Sequence, residues 1–176
     1  IVAYAHCCGH VVRLKGGDPY VFGRGHEELQ YAQQHGLQTA YVPGVSSAIA
    51  GAGAAGIAVT LRGASRGFWV ITGTTDTGDL NPEIRTAANT DATLVILMGV
   101  SKIAEIAEVY KTAGKPGTPV AVIQNATLPH QREVISNISE VAAAVKNSGI
   151  DSPAVIVIGE VVKHRLLSNE AKALAD

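Results

Sequence analysis

The sequence has 176 residues, and its 14 lysines and arginines against 15 aspartates and glutamates leave a formal charge of −1. This balance argues against a protein dedicated to binding nucleic acid or an anionic membrane surface. Hydrophobic residues make up 47 % and charged residues 16 % of the chain, against roughly 25 % charged in an average soluble domain, which excludes disorder as the main state. The 19 glycines and the aromatic content of only 5 % favour an α/β fold with closely packed helices and strands.

Apolar runs and cysteines bear on the cellular compartment. Runs such as Thr93–Met98 and Ala154–Ile158 fall far short of the about 20 residues that span a bilayer, so no membrane contact is expected. The opening residues have neither the basic segment nor the cleavage site of a secretory signal. Cys7 and Cys8 are adjacent, a spacing that suits neither an ordinary disulfide nor a metal knuckle, and we expect a reducing, cytoplasmic compartment.

The first 44 residues predict two helices and two strands. Residues 1–9 are typical of a helix end stopped by glycine, and Val11–Leu14 predicts a buried strand that runs into a glycine loop. Glu27–His35 predicts a helix closed by the next glycine, and Thr39–Val42 predicts a second strand. Pro43-Gly44 breaks that strand and marks the expected domain boundary.

The remainder predicts a larger α/β unit. Five strands are expected there: Phe68–Thr72, Thr93–Met98, Pro119–Ile123, Glu133–Ile138 and Pro153–Ile158. Helices are expected after Ser46, where a small-residue stretch ends near Gly56, and over Ser101–Gly114 and Glu140–Lys146. The first two strands show no alternation, which predicts cover on both faces. The predicted domains are 1–44, 45–163 and a tail at 164–176.

The strongest local motif is VVRLKGGDPYVFGRG, at residues 11–25. A strand that runs into Gly16, Gly17 and Asp18 would place bare backbone at the carboxyl edge of a sheet, where α/β folds bind ligands. The Asp18 carboxylate could accept hydrogen bonds from a ribose or from backbone amides, although an ordinary Gly-Asp-Pro turn is the plainer interpretation. Arg24 could help an anion bind at the helix start, or it could form a surface ion pair with Glu27 or Glu28.

Three further loops carry candidate contacts. Ser46 and Ser47 follow the Pro-Gly break, Met98 ends a predicted strand, and Ala126 lies just after another. Each also has a structural interpretation, namely helix capping, core filling or an ordinary turn. The six histidines show no metal-ligand spacing, so no metal site is predicted, and no Gly-x-Ser-x-Gly elbow occurs.

Taken in order, several segments resemble the uroporphyrinogen-III C-methyltransferases of the tetrapyrrole methylase family. The matching segments are VVRLKGGDPYVFGRGHEE, VPGVSSAIAGAGAAGIAVT, TLVILMG, TPVAVIQNAT and SPAVIVIGEVV. KGGDP followed by VFGRG and then PGVSSA is highly specific. The resemblance implies two α/β domains with S-adenosyl-L-methionine in the cleft between them, a homodimer, and S-adenosyl-L-homocysteine as the product.

The resemblance also implies roles for particular residues. It assigns cofactor contact to Gly16, Gly17, Asp18, Val21, Ser46, Ser47, Met98 and Ala126. Arg24 and Arg62 become candidate anchors for substrate carboxylates, because a guanidinium pairs a carboxylate in a fixed fork. Where the family usually has FGRGGEE, Thr-His-Arg and Thr-Gly-His, this chain has His26, Thr60-Leu61-Arg62 and Thr72-Gly73-Thr74.

The implied activity is methylation of two ring carbons of uroporphyrinogen III to give precorrin-2, on the route to sirohaem or cobalamin. The family's opening strand, first glycine–proline loop and acid/base candidates would lie upstream of residue 1. We therefore expect a fragment that is inactive by itself, and we assign no catalytic acid or base. Two alternatives remain, a methylase of a later corrin precursor and a non-catalytic fragment that binds cofactor or tetrapyrrole.

Overall fold

The structure, a computed structural model, describes residues 1–166. The predicted tail at 164–176 lies outside the described residues from 167 onward. The chain divides into two compact units, the first of residues Ile1–Ser46 and the second beginning at Ser47. None of the helices described is long and apolar enough to cross a membrane.

The first unit contains two helices, both of them predicted. Helix α1 spans Val2–Cys8 and ends at Gly9, whose φ of 86° lies in the left-handed region that favours glycine. Helix α2 spans Gly25–Gln34 and is followed by Gly36 at a φ of 76°. Both stops follow the rule that glycine closes a helix where the backbone must turn to positive φ.

The two strands predicted for this unit are wrong. No strand forms within residues 1–46, all of which the structure describes, and the run Val11–Leu14 is irregular, with Val12 75 % and Leu14 83 % exposed. Thr39–Val42 is irregular as well. A short, mostly apolar segment becomes a strand only beside a partner strand, and residues 1–46 supply none.

The second unit is a five-stranded mixed sheet with helices packed against it. Its strands are β1 (Phe68–Thr72), β2 (Thr93–Leu97), β3 (Pro119–Gln124), β4 (Arg132–Asn137) and β5 (Ala154–Ile158). Its helices are α3 (Ser47–Ala54), α4 (Glu83–Ala88), α5 (Ile103–Thr112) and α6 (Val141–Ser148), with short 3₁₀ turns at Val100–Lys102 and Glu160–His164. All five strands predicted for this part of the chain are present, within one residue at each end.

The order of the strands is β1-β2-β5-β3-β4. Strand β1 is parallel to β2, whereas β5 lies antiparallel between β2 and β3. Consequently β1, β2 and β3 run in the same direction, and their carboxyl ends meet at one edge of the sheet. The register places both Leu97 and Ile123 opposite Val155.

Two apolar clusters cover the two faces of the sheet. On β5, Ile156 and Ile158 belong to the cluster with α4, α5 and α6, while Val155 and Val157 belong to the cluster with α3. Helix α5 buries Ile103, Ile106, Ala107 and Tyr110, the stripe expected from their three- and four-residue spacing. The central strands are therefore covered on both faces.

Strand β1 departs from the prediction that it is covered on both faces. It lies at the edge of the sheet with only β2 beside it. Phe68 and Trp69 point to opposite faces and are 37 % and 36 % exposed, so neither face is fully covered at this end of the strand.

Helix α4 was not predicted. Its signal is the sequence Asn81-Pro82-Glu83, in which Asn81 Oδ1 accepts a hydrogen bond from Glu83 N at 3.0 Å. Pro82 is the N-cap, and its ring holds φ at −64°, a helical value, just before the helix begins.

Replacing Ile156 with alanine should lower the free energy of unfolding by about 2–5 kcal/mol, because the side chain is fully buried in the central strand and leaves a cavity. Ile49→Ala is the matched control, since Ile49 is exposed on α3 and alanine favours a helix. Urea unfolding, monitored by Trp69 fluorescence, measures the free energy of unfolding of both variants. Equal losses in the two variants would contradict this description of the core.

Candidate functional site

The turn at Gly16, Gly17 and Asp18 is built around the Asp18 carboxylate. Asp18 Oδ2 accepts a hydrogen bond from the Tyr41 hydroxyl at 2.6 Å and another from Gly44 N at 3.0 Å. Asp18 Oδ1 accepts one from Tyr20 N at 2.8 Å. The carboxylate thus ties residues 18–20 to residues 41–44, and its contacts with backbone amides match one of the two roles considered for it.

These hydrogen bonds shift the ionisation of both partners. The Tyr41 hydroxyl, followed by the amides of Gly44 and Tyr20, lowers the pKa of Asp18 below its usual value. The same contact raises the pKa of Tyr41 to about 12. Asp18 is therefore a carboxylate and Tyr41 a proton donor throughout the neutral range.

The glycines around this turn have two different roles. A Cβ on Gly16 would meet nothing within 4 Å, and one on Gly17 would meet only Val45 O, at 3.4 Å. A Cβ on Gly44 would lie 3.1 Å from both Asp18 Cα and Gly17 O. Gly44 therefore lets two backbone segments pack closely, whereas Gly16 and Gly17 leave bare backbone that a ligand can approach.

The segment that leads into α2 is also closely packed. A Cβ on Gly25 would lie 2.6 Å from Pro19 O, and Gly25 N donates a hydrogen bond to that oxygen at 2.8 Å. Val21, predicted to contact cofactor, is partly exposed beside the turn, and its N–H bonds Asp18 O at 3.2 Å. Arg24 is an exposed residue with a φ of 56° and forms an ion pair with Glu27 at 2.6 Å.

Glu28 joins α2 to the chain that enters the turn. Its Oε1 lies 3.0 Å from Lys15 Nζ and 3.4 Å from Arg13 Nη2. The hydrogen bond from Lys15 lowers the pKa of the Glu28 carboxyl. Since Lys15 immediately precedes Gly16, this pair holds the start of the turn against the helix.

In the second unit, Met98 follows β2 at the carboxyl edge of the sheet. Its φ of 53° is positive and its side chain is 57 % exposed, so the side chain does not fill the core. Next to it, Gly73 N donates a hydrogen bond to Leu97 O at 2.7 Å, and a Cβ on Gly73 would overlap Gly99 Cα. Gly73 and Gly99 therefore hold the ends of β1 and β2 together through direct backbone contact.

Ala126 lies in the loop after β3, at the same edge. The loop has positive φ at Asn125 and Thr127, and Asn125 N donates to Pro153 O at 3.1 Å. Gln131 accepts a hydrogen bond from Thr127 N at 2.8 Å and donates one to Ala54 O at 3.2 Å, which ties the loop to the end of α3. Because one strand separates β2 from β3, Met98 and this loop are about 10 Å apart across the sheet.

The remaining predicted residues lie on different elements. Ser46 is half-buried at the end of the first unit, and Ser47 is exposed at the start of α3. Arg62 is exposed in the tight turn between Leu61 and Ser65, and none of the ion pairs formed by the described residues includes it. Among residues 1–166, no group of three or more His, Cys, Asp or Glu side chains could hold a metal ion.

Two residues important to these sites were not predicted. Tyr41 is 23 residues from its partner Asp18, and no local pattern indicates that pairing. Gly73 was noted only because the chain has Thr72-Gly73-Thr74 where the family has Thr-Gly-His. The sequence does contain a signal for Gly73, since a glycine directly follows each of the predicted strands Phe68–Thr72 and Thr93–Met98, at positions 73 and 99.

Comparisons with known proteins identify relatives for most of the chain. The family described as Tetrapyrrole (Corrin/Porphyrin) Methylases matches residues 2–142. A uroporphyrinogen-III C-methyltransferase of Pseudomonas aeruginosa is 44 % identical over 155 residues, which cover 87 % of this chain and 62 % of the relative. A siroheme synthase of Actinobacillus pleuropneumoniae is 42 % identical over 164 residues, which cover 93 % of this chain and 33 % of that protein. The chain thus spans less than two thirds of the length of these curated relatives.

A solved structure supports the same relationship. The uroporphyrin-III C-methyl transferase from Thermus thermophilus, complexed with S-adenyl homocysteine, is 37 % identical and has a TM-score of 0.79. The match covers 92 % of this chain and 71 % of that one.

Gly73→Ala should destabilise the protein by about 1–3 kcal/mol, because the added Cβ would overlap backbone rather than a side chain that can move. Gly67→Ala is the matched control. Gly67 precedes the same strand, and a Cβ there would meet nothing within 4 Å. Thermal unfolding measured by circular dichroism compares the two, and an unchanged melting temperature for Gly73→Ala would show that the two glycines are not in close contact.

Proposed function

Because this chain belongs to the tetrapyrrole methylases and has their fold, we propose that it serves in the S-adenosyl-L-methionine-dependent methylation of uroporphyrinogen III to precorrin-2. The observation that carries the proposal is the turn at Gly16–Asp18. It combines open backbone with a fixed carboxylate in a chain that is 44 % identical to a uroporphyrinogen-III C-methyltransferase. The product would lie on the route to sirohaem or cobalamin.

The residues of the turn fit a nucleoside cofactor. A carboxylate has about four acceptor positions, two on each oxygen. Donors among the described residues occupy both positions of Asp18 Oδ2 and one of Oδ1. Oδ1 therefore keeps an acceptor position for a ribose hydroxyl, while the bare backbone of Gly16 and Gly17 allows the cofactor to approach closely.

In the second unit, we propose Met98 and Ala126 as further cofactor contacts. Met98 presents an exposed, polarisable thioether, and Ala126 adds only a methyl group, so its loop offers accessible backbone. Ser46, Ser47 and Val21 remain proposed contacts on the basis of their motifs.

Bound S-adenosyl-L-methionine would supply an electrophilic sulfonium methyl group, and its transfer to a pyrrole carbon leaves S-adenosyl-L-homocysteine. The protein's contribution would be to bind and orient the reactants, since fixing two reactants in line removes much of the entropic barrier. No residue of this chain is proposed as the base that takes up the proton.

Arg62 is the better of the two proposed substrate anchors. Its guanidinium is exposed and takes part in none of the ion pairs of the described residues, whereas Arg24 already pairs with Glu27. An unpaired guanidinium can bind a carboxylate of the tetrapyrrole in bidentate geometry without first breaking another contact.

We also propose that the protein works as a homodimer in the cytoplasm.

The proposed function is tested on the complete gene product that contains this chain, by incubation with uroporphyrinogen III and methyl-labelled S-adenosyl-L-methionine alongside calorimetry with S-adenosyl-L-homocysteine. Label incorporated into the tetrapyrrole supports the proposal. Cofactor binding without label transfer would support a non-catalytic binding protein, and transfer only to a later corrin precursor would identify a different methylase. Absence of both binding and transfer would overturn the proposal.

Gly16→Ala should weaken binding of S-adenosyl-L-homocysteine by about ten-fold, the cost of losing roughly one good backbone contact. The protein's own fold has space for the new methyl group, so the melting temperature should stay within about 2 °C of the parent. Gly117→Ala is the matched control, because a Cβ there also meets nothing and Gly117 precedes β3 at the opposite end from the Ala126 loop. Unchanged affinity in Gly16→Ala would remove this glycine from the site.

Met98→Leu, introduced into the complete gene product that contains this chain, should reduce methyl transfer more than it reduces stability. The side chain is mostly exposed, and replacing methionine by leucine usually costs less than about 1.5 kcal/mol even in a core. Initial rates and melting temperatures measured on the same preparations decide the point. A large fall in melting temperature at an unchanged rate would place Met98 in the core instead.

A further inference from the structure

Among residues 1–166, the one hydrogen-bond partner of the Tyr41 hydroxyl is the Asp18 carboxylate. The Tyr41 ring already stacks on the Tyr20 ring, with centroids 4.0 Å apart and planes 6° from parallel. Gly44 already packs against Gly17 and Asp18 through backbone. Packing would therefore hold residues 41–44 beside the turn even if Tyr41 were phenylalanine.

The carboxylate is nevertheless turned in one particular way. The short 2.6 Å bond from Tyr41 and the bond from Gly44 N both go to Oδ2, while Tyr20 N binds Oδ1. The described donors thus fill Oδ2 and leave the open acceptor position on Oδ1. Without the Tyr41 hydroxyl, Oδ2 would also have an open position, and the carboxylate would lose one of the three contacts that fix its rotation.

We propose that Tyr41 is a positioning residue for the cofactor-binding turn: its hydroxyl fixes the Asp18 carboxylate so that Oδ1 faces a hydroxyl group of a bound nucleoside. This inference rests on the proposed function. Tyr41 does not itself touch the cofactor in this role. It acts through Asp18, and the aromatic stack with Tyr20 keeps the Tyr41 hydroxyl directed at the Asp18 carboxylate.

The contact also makes binding depend on pH in a defined direction. The hydrogen bond from Tyr41 is the largest cause of the lowered pKa of Asp18. Binding that needs the carboxylate is lost as the pH falls through this pKa, so removing the hydroxyl should move the loss of binding to higher pH.

Other titratable and charged groups lie around the contact. Tyr20 stacks on Tyr41, and His26 at the start of α2 meets the Tyr20 ring edge-on at 6.2 Å. On the other side of the turn, Lys15 and Arg13 are paired with Glu28. His26→Gln is therefore included as a control that removes the imidazole in contact with Tyr20 without touching the carboxylate.

The test is calorimetry with S-adenosyl-L-homocysteine from pH 3.5 to pH 8, on the parent protein, Tyr41→Phe and Tyr31→Phe. Tyr31→Phe is the matched control, because Tyr31 is exposed on α2 and, among the ring contacts of the described residues, its ring meets only that of His35. We expect Tyr41→Phe to bind about five-fold more weakly at pH 7, the loss expected for one ordinary hydrogen bond. We also expect Tyr41→Phe to lose binding at a higher pH than the parent protein as the solution is acidified. Tyr31→Phe and His26→Gln should lose binding at the same pH as the parent protein.

A second measurement needs no ligand. Carbon NMR titration of the Asp18 carboxyl should show a higher pKa in Tyr41→Phe than in the parent, while circular dichroism shows that the variant is folded. Unchanged affinity and unchanged acid loss in a folded Tyr41→Phe would overturn this inference and leave the proposed function standing. Failure of the parent to bind S-adenosyl-L-homocysteine at any pH would overturn the proposed function, and this inference with it.

Discussion

The antiparallel placement of β5 between β2 and β3 determines which loops of the second unit share an edge of the sheet. Because β5 runs against both neighbours, β2 and β3 end together, and Leu97 and Ile123 both lie opposite Val155. If β2 and β3 had been adjacent and antiparallel, Met98 and Ala126 would lie at opposite edges. The fully buried residues of β5 contribute to both apolar clusters, so the same strand that organises the core also organises the candidate site.

The two units are stabilised by different kinds of interaction. The second unit has two buried apolar clusters. In the first unit, residues 1–46, Gly25 is the one buried residue. The first unit depends on the Asp18 carboxylate, the ion pairs of Glu28 and the close packing of Gly25 and Gly44 against backbone. Hydrogen bonds and backbone contacts fix local geometry well, but they bury little apolar surface. The turn that we propose as a cofactor-binding element therefore lies in the unit with the smaller hydrophobic contribution.

Local features of the fold could be predicted from the sequence better than the contacts between segments that are distant along the chain. Strands β2, β3 and β5 could be recognised because each is a short, nearly continuous apolar run between turn signals, and α5 because its apolar residues follow the helical repeat. Val11–Leu14 is also mostly apolar, but composition contains no information about whether a partner strand is present. The motif around Asp18 was recognisable from its glycines, whereas the contact with Tyr41 required the chain to fold back over 23 residues. The strand order could not be predicted from the sequence either, because the position of β5 between β2 and β3 depends on packing across the whole unit.

Met98 is the only methionine in the chain, and its side chain projects from the sheet edge into solvent. A protein grown with methyl-labelled methionine would therefore give a single side-chain methyl resonance, sharp because the group rotates freely and assigned without mutagenesis. Its chemical shift would respond to ring currents from any aromatic base placed beside the sheet edge. The sequence has thus provided one spectroscopic reporter at the place where ligand contact is proposed, with no second methionine to overlap its signal.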